Sequence, residues 1–94
     1  MQSKLITMAT KTFKIGEYAI GGKIKVSITA TAVTIQALEW TSNSVLMEKI
    51  IPNAEGRYWD AREFLEELTS SYYADKVLEY VLANSSINHE MFKY

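Results

Sequence analysis

From Lys23 to Ala32 the chain alternates strictly, with Ile24, Val26, Ile28, Ala30 and Ala32 interleaved by Lys25, Ser27, Thr29 and Thr31. A period of two belongs to a strand that turns one face to a core and the other to water. Strand-forming residues continue through Val33-Thr34-Ile35-Gln36-Ala37-Leu38-Glu39-Trp40. An unbroken strand from Lys23 to Trp40 would run about 60 Å at ~3.3 Å per residue. A reversal near Thr31 to Val33 is therefore required, although no Gly, Pro or Asn marks it. Thr41-Ser42-Asn43-Ser44 supplies the next turn, and Val45 to Ile51 reads as a strand ended by Pro52.

Upstream, Phe13 and Ile15 lie on one parity and Tyr18 and Ile20 on the other, with Gly16 at the change. A bulge at Gly16 would return both pairs to one face. Gly21-Gly22 offers two residues able to take positive φ, as a tight hairpin needs. The second half changes period. After Pro52-Asn53-Ala54-Glu55-Gly56, Asp60 is placed to cap a helix that starts near it, with Glu63 reaching back. On that helix Ala61, Phe64, Leu65, Leu68 and Tyr72 share one face, whereas Tyr73, Val77, Tyr80 and Val81 centre on nearly the opposite one. One straight helix cannot serve a single core with both sets. Either the chain breaks at Thr69-Ser70-Ser71, where short hydroxyl residues favour caps over helix, or a long helix buries its second face against another subunit.

Strands first and helices second define an α+β domain: a three- or four-stranded antiparallel sheet followed by one or two C-terminal helices. The 94 residues form a single domain, which buries about two-thirds of its unfolded surface. Met8-Ala9-Thr10-Lys11 reads like a natural start, which leaves residues 1–8 either a mobile extension or part of the fold. The tail from Asn84 to Tyr94 lacks periodicity and is either docked through Met91, Phe92 and Tyr94 or mobile. The N-terminal apolar run is too short for a secretory leader or a membrane span, so a cytoplasmic chain without membrane contact is expected.

Most site chemistry is excluded by count. There is no cysteine, hence no disulfide, thiolate nucleophile or cysteine-based metal site, and His89 is the single histidine. Gly16 to Lys23 superficially matches a phosphate-binding loop. The lysine stands one place late, Ile24 replaces the magnesium-binding hydroxyl, and a strand follows where a helix should begin. Asp60, Glu63, Glu66 and Glu67 cluster in the first turns of a helix, where the macrodipole favours them, and read as a solvated face. A small enzyme built on that acidic helix would need a pocket near Glu63 or Glu67. The serines fall in turns without a base beside them, and Asn84-Ser85-Ser86 matches a glycosylation acceptor that a cytoplasmic chain leaves unused. No catalytic residue, cofactor, metal or small-molecule substrate is expected.

Two asymmetries remain. Residues 1–52 carry six Lys against three Glu, a net +3, while residues 53–94 carry four bases against eight acids, a net -4. Lys23 and Lys25, sharing the open face of the sheet with Lys11 or Lys14, form with Tyr18 a candidate single-stranded nucleic-acid surface. The same lysines serve equally to keep an outer strand soluble and unpaired. Second, Tyr58, Trp59, Phe64, Tyr72, Tyr73 and Tyr80 place six of eleven aromatic residues within 23 positions. Tyr73, Val77, Tyr80 and Val81 then form a candidate protein interface, for which a second copy of the chain is the expected partner.

The run from Ala9-Thr10-Lys11-Thr12-Phe13-Lys14-Ile15-Gly16-Glu17 through Tyr18-Ala19-Ile20-Gly21-Gly22-Lys23-Ile24-Lys25-Val26 resembles short uncharacterised proteins of marine tailed phages. That resemblance implies a host cytoplasm. The order of elements, a lysine-bearing sheet followed by a helix, is similar to the ββββα single-stranded-DNA-binding family of Whirly-like transcription cofactors. It implies a homodimer whose curved sheets grip nucleic acid while the helices pair, and it transfers no residue role. The expected function is a non-enzymatic, small homo-oligomeric interaction protein, with single-stranded nucleic-acid binding as the alternative.

Overall fold

The computed structural model describes residues 7–84, with side chains from Ala9 onward. The alternating segment forms β2 (Gly22–Thr29), which pairs antiparallel with β1 (Thr7–Lys14) on one side and β3 (Ala32–Glu39) on the other. A last strand, β4 (Val45–Pro52), pairs with β3, so the sheet is a meander in the order β1-β2-β3-β4. Two helices follow, α1 (Tyr58–Leu68) and α2 (Ser71–Asn84). The architecture is α+β, as expected, in its four-strand, two-helix form. Thr7 and Met8 belong to β1, where Thr7 stands opposite Thr29, so for these two residues the second of the two readings holds and they are part of the fold. Residues 1–6 of that extension, and the docking of Met91, Phe92 and Tyr94, lie outside the described residues, as does His89.

The unmarked reversal after β2 is made by Thr29. Its hydroxyl accepts the N–H groups of Thr31 (3.3 Å) and Ala32 (3.1 Å), closing a turn through a side chain where Gly, Pro or Asn would otherwise serve. Ala30 is therefore exposed in the turn and Ala32 only half-buried, a correction to the alternation, which had placed both in the core. The bulge expected at Gly16 is also absent. Gly16 opens a 3-10 turn, Gly16–Tyr18, that ends β1 and carries the chain across to Gly21 and Gly22, both at positive φ. Phe13 and Ile15 stay half-buried while Tyr18 and Ile20 are exposed, so the two pairs do not share a face.

α1 begins at Tyr58, ahead of Asp60, whose carboxylate takes the Arg57 guanidinium (2.8 Å) instead of capping backbone amides. The acid still sits in the positive first turn, where the dipole favours it. Of the two helical readings, the break holds. Thr69 is extended (φ -155°, ψ -166°), and Ser70 then starts α2 by accepting the N–H of Tyr73 through its hydroxyl (3.4 Å). The break is tied to the connection between β1 and β2: the Ile20 N–H donates to the Leu68 carbonyl (2.9 Å) and the Thr69 hydroxyl donates to the Tyr18 carbonyl. This redirection lets both faces serve one core. Ala61, Phe64, Leu65 and Leu68 of α1 and Ala74, Val77, Leu78 and Val81 of α2 pack on Ile24, Val26, Ile28, Val33, Ile35, Ala37 and Ile51. Each fully buried aliphatic side chain contributes about 1.5–3 kcal/mol.

Candidate functional site

The helical face expected to meet a partner is largely used inside the monomer. Val77 and Val81 lie in the core, because the Thr69-Ser70 break turns α2 back onto the sheet. Tyr73 and Tyr80 remain half-exposed beside the first strand and its following turn. Tyr80 meets Phe13 edge-on at 5.7 Å, and Tyr73 stacks with Tyr18 at 5.8 Å. The four residues therefore do not form one surface, which corrects that candidate interface.

The lysine set divides in the same way. Lys14, Lys23 and Lys25 share the open face, since Lys14 stands opposite Lys23 and Thr12 opposite Lys25. Lys23, however, is only 8% exposed: its ammonium lies 5.9 Å from the Trp40 ring and donates to Asn43 Oδ1. Lys11 projects from the opposite, helix-bearing face, over the rings of Phe13 (5.0 Å) and Tyr80 (5.6 Å). Tyr18 sits on the 3-10 turn against Tyr73. Among the five, only Lys14 and Lys25 are accessible together on the open face. The separation of Lys11 from Lys14 was legible in advance, because an odd spacing on a strand puts side chains on opposite faces.

What the surface offers instead is β4. All six residues from Val45 to Ile50 are exposed, among them Val45, Leu46, Met47 and Ile50, the last at 61%. Two causes act, one on each face. Ile50 and Glu48, opposite Thr34 and Gln36, lie on the open face, which carries no helix. On the helix-bearing face the core takes in Ile51 of β4 but leaves Met47 and Lys49 exposed. An apolar edge strand of this kind is a template for pairing with another chain.

The turn that presents β4 is organised by Glu39. One carboxylate oxygen accepts the N–H of Thr41 (3.0 Å), the N–H of Ser42 (2.7 Å) and the Thr41 hydroxyl (2.8 Å). These bonds favour the ionised form, led by the Ser42 amide, and hold the Glu39 pKa at about 2 against an ordinary 4.5. The turn is thus supported by charged Glu39 above the ordinary value, and that support is lost as pH falls through about 2. A carbon-detected NMR titration of the Glu39 carboxyl should give a midpoint near 2. A midpoint at the ordinary glutamate value would show that the turn does not hold the carboxylate in solution.

Two open depressions flank the helices. One, of about 420 Å³, is lined by Trp59, Asp60, Arg62, Glu63 and Glu66. Arg62 bridges Glu66 (3.1 Å) and Asp75 (2.7 Å) there, tying α1 to α2. The other, of about 460 Å³, runs beside β1 between Lys11, Lys14, Tyr72, Tyr73 and Lys76. Among the described residues no group of His, Cys, Asp and Glu is arranged to hold a metal ion, and no helix is long and apolar enough to cross a membrane. No family model, curated protein or solved structure matches the chain, so its functional reading rests on these surfaces.

Proposed function

We propose that this chain acts without catalysis, as a small homo-oligomeric interaction protein whose copies join through β4. The observation that carries the reading is the uninterrupted exposure of Val45 to Ile50 on a strand that pairs with β3 on one side only. A second copy is the natural occupant. Two such edges paired antiparallel about a two-fold axis normal to the sheet satisfy each other's backbone groups and keep both helical layers on one side. Met47, opposite Ala37 on the helix-bearing face, and Ile50, opposite Thr34 on the open face, would then be covered from both sides.

Sedimentation velocity tests this directly. Wild-type protein should sediment as a dimer or larger species, and the Met47→Glu, Ile50→Glu double variant as a monomer with an unchanged circular-dichroism spectrum, since both side chains are exposed in the monomer. A wild-type protein that stays monomeric at high micromolar concentration would sink the proposal, as would a double variant that associates as strongly as the parent.

A further inference from the structure

The opposite edge of the sheet has a different chemistry. We infer that β1 takes up an extended acidic peptide as an added strand, its carboxylates held by Lys11, Lys14 and Lys76. The surface lies across the sheet from β4, so this inference stands independently of the self-association proposed there.

The backbone comes first. The Ile15 N–H donates to the Gly22 carbonyl (2.9 Å), so Ile15 faces β2. In an antiparallel pair the direction alternates residue by residue. Phe13 and Lys11 therefore also face β2, and the N–H and C=O groups of Thr10, Thr12 and Lys14 point outward along an edge that no described strand occupies. Water satisfies these groups at the exposed edge, and an incoming extended chain can take its place and pair them without any change in the sheet.

The charges flank this edge on both faces. Lys14 stands on the open face and Lys11 on the helix-bearing face, where Lys76 of α2 joins it across the groove. An added strand turns successive side chains to alternate faces, so carboxylates on both of its faces would find an ammonium. Two of the three cations are held in place by rings: Lys11 over Phe13 and Tyr80, and Lys76 over Tyr72 at 5.3 Å. A cation over a ring keeps its charge and its outward N–H donors. Among the described residues none of the three lysines is in an ion pair and no carboxylate lines the groove. A positive groove with unpaired edge amides and no acid of its own suits an extended polyanionic chain that carries backbone donors and acceptors. That is an acidic peptide; single-stranded nucleic acid would match the lysines but leave the edge amides without strand partners.

The probe is a fluorescein-labelled peptide of repeating Val-Glu-Asp, which places carboxylates on both faces of a strand, titrated with the full-length protein and followed by anisotropy. Saturable binding that weakens with salt is expected, together with slowed hydrogen exchange at the Thr10, Thr12 and Lys14 amides. The Lys14→Glu, Lys76→Glu double variant should bind roughly tenfold more weakly or worse. Thr12→Pro keeps every lysine and removes an outward N–H that the β1–β2 ladder does not use, and should also lose roughly tenfold or more. A repeating Pro-Glu-Asp peptide, equal in charge but unable to form a strand, should bind the wild-type protein at least as poorly as the variants bind the original. This last comparison decides the matter even where Thr12→Pro fails to fold. No binding of the Val-Glu-Asp peptide, equal binding of the proline peptide, or displacement by single-stranded oligothymidine at lower concentration would each overturn the inference.

Discussion

Val77→Asp is expected to unfold the protein. Val77 is fully buried beneath α2, in contact with the sheet core. The substitution forfeits about 1.5–3 kcal/mol of apolar burial and adds several kcal/mol for an unpaired carboxylate taken out of water. That sum rivals the roughly 5–15 kcal/mol that holds a domain together. Urea denaturation should find the variant unfolded or nearly so in buffer, while Leu82→Gln, at an exposed position on the same helix, should lie within about 0.5 kcal/mol of wild type. If α2 instead offered Val77 to a partner, Val77→Asp would yield a folded monomer with a normal unfolding midpoint. That result would return Tyr73, Val77, Tyr80 and Val81 to consideration as an interface.

Gly21→Ala should cost about 2–5 kcal/mol, combining strain at positive φ with a clash that cannot relax. Gly21 has φ +73°, and an added Cβ would sit 2.5 Å from the Leu38 carbonyl oxygen and 2.6 Å from a Leu46 methyl. The leucine can swing aside, but the carbonyl belongs to β3. Gly16 provides the control, since it shares the same φ of +73° with open space around its absent Cβ. Gly16→Ala should therefore lose only the conformational part, about 1 kcal/mol. Equal losses at the two positions, measured by thermal or urea unfolding, would show that the approach to β3 is not tight. The clash also bears on β4: a Leu46 displaced by Gly21→Ala would alter the surface proposed for self-association.

Some of this was open to reading from residues alone, and some was not, for reasons that differ from element to element. The alternation from Ile24 to Ile28 announced a half-buried strand because side-chain direction in a strand depends on sequence position only. The helical break was readable as one of two outcomes, since Thr69-Ser70-Ser71 disfavours helix. The turn at Thr29 was located only approximately, because a hydroxyl that replaces a turn glycine looks like any other strand threonine. Lys23 was misjudged for a tertiary reason: its position on the open face was correct, but Trp40 and Asn43 come over it from the turn between β3 and β4.

The interaction surfaces show the same division. Periodicity, composition and the absence of cysteine established on their own an α+β chain with a core-facing sheet, two opposed helical apolar faces and a basic first half. Which apolar residues were left over was a question of coverage, and coverage depends on which face of the sheet the helices take and which strands they come to rest on. Only the tertiary structure could therefore bury Val77 and Val81, leave Val45 to Ile50 bare, and bring Lys76 from the acidic half of the chain beside Lys11 and Lys14.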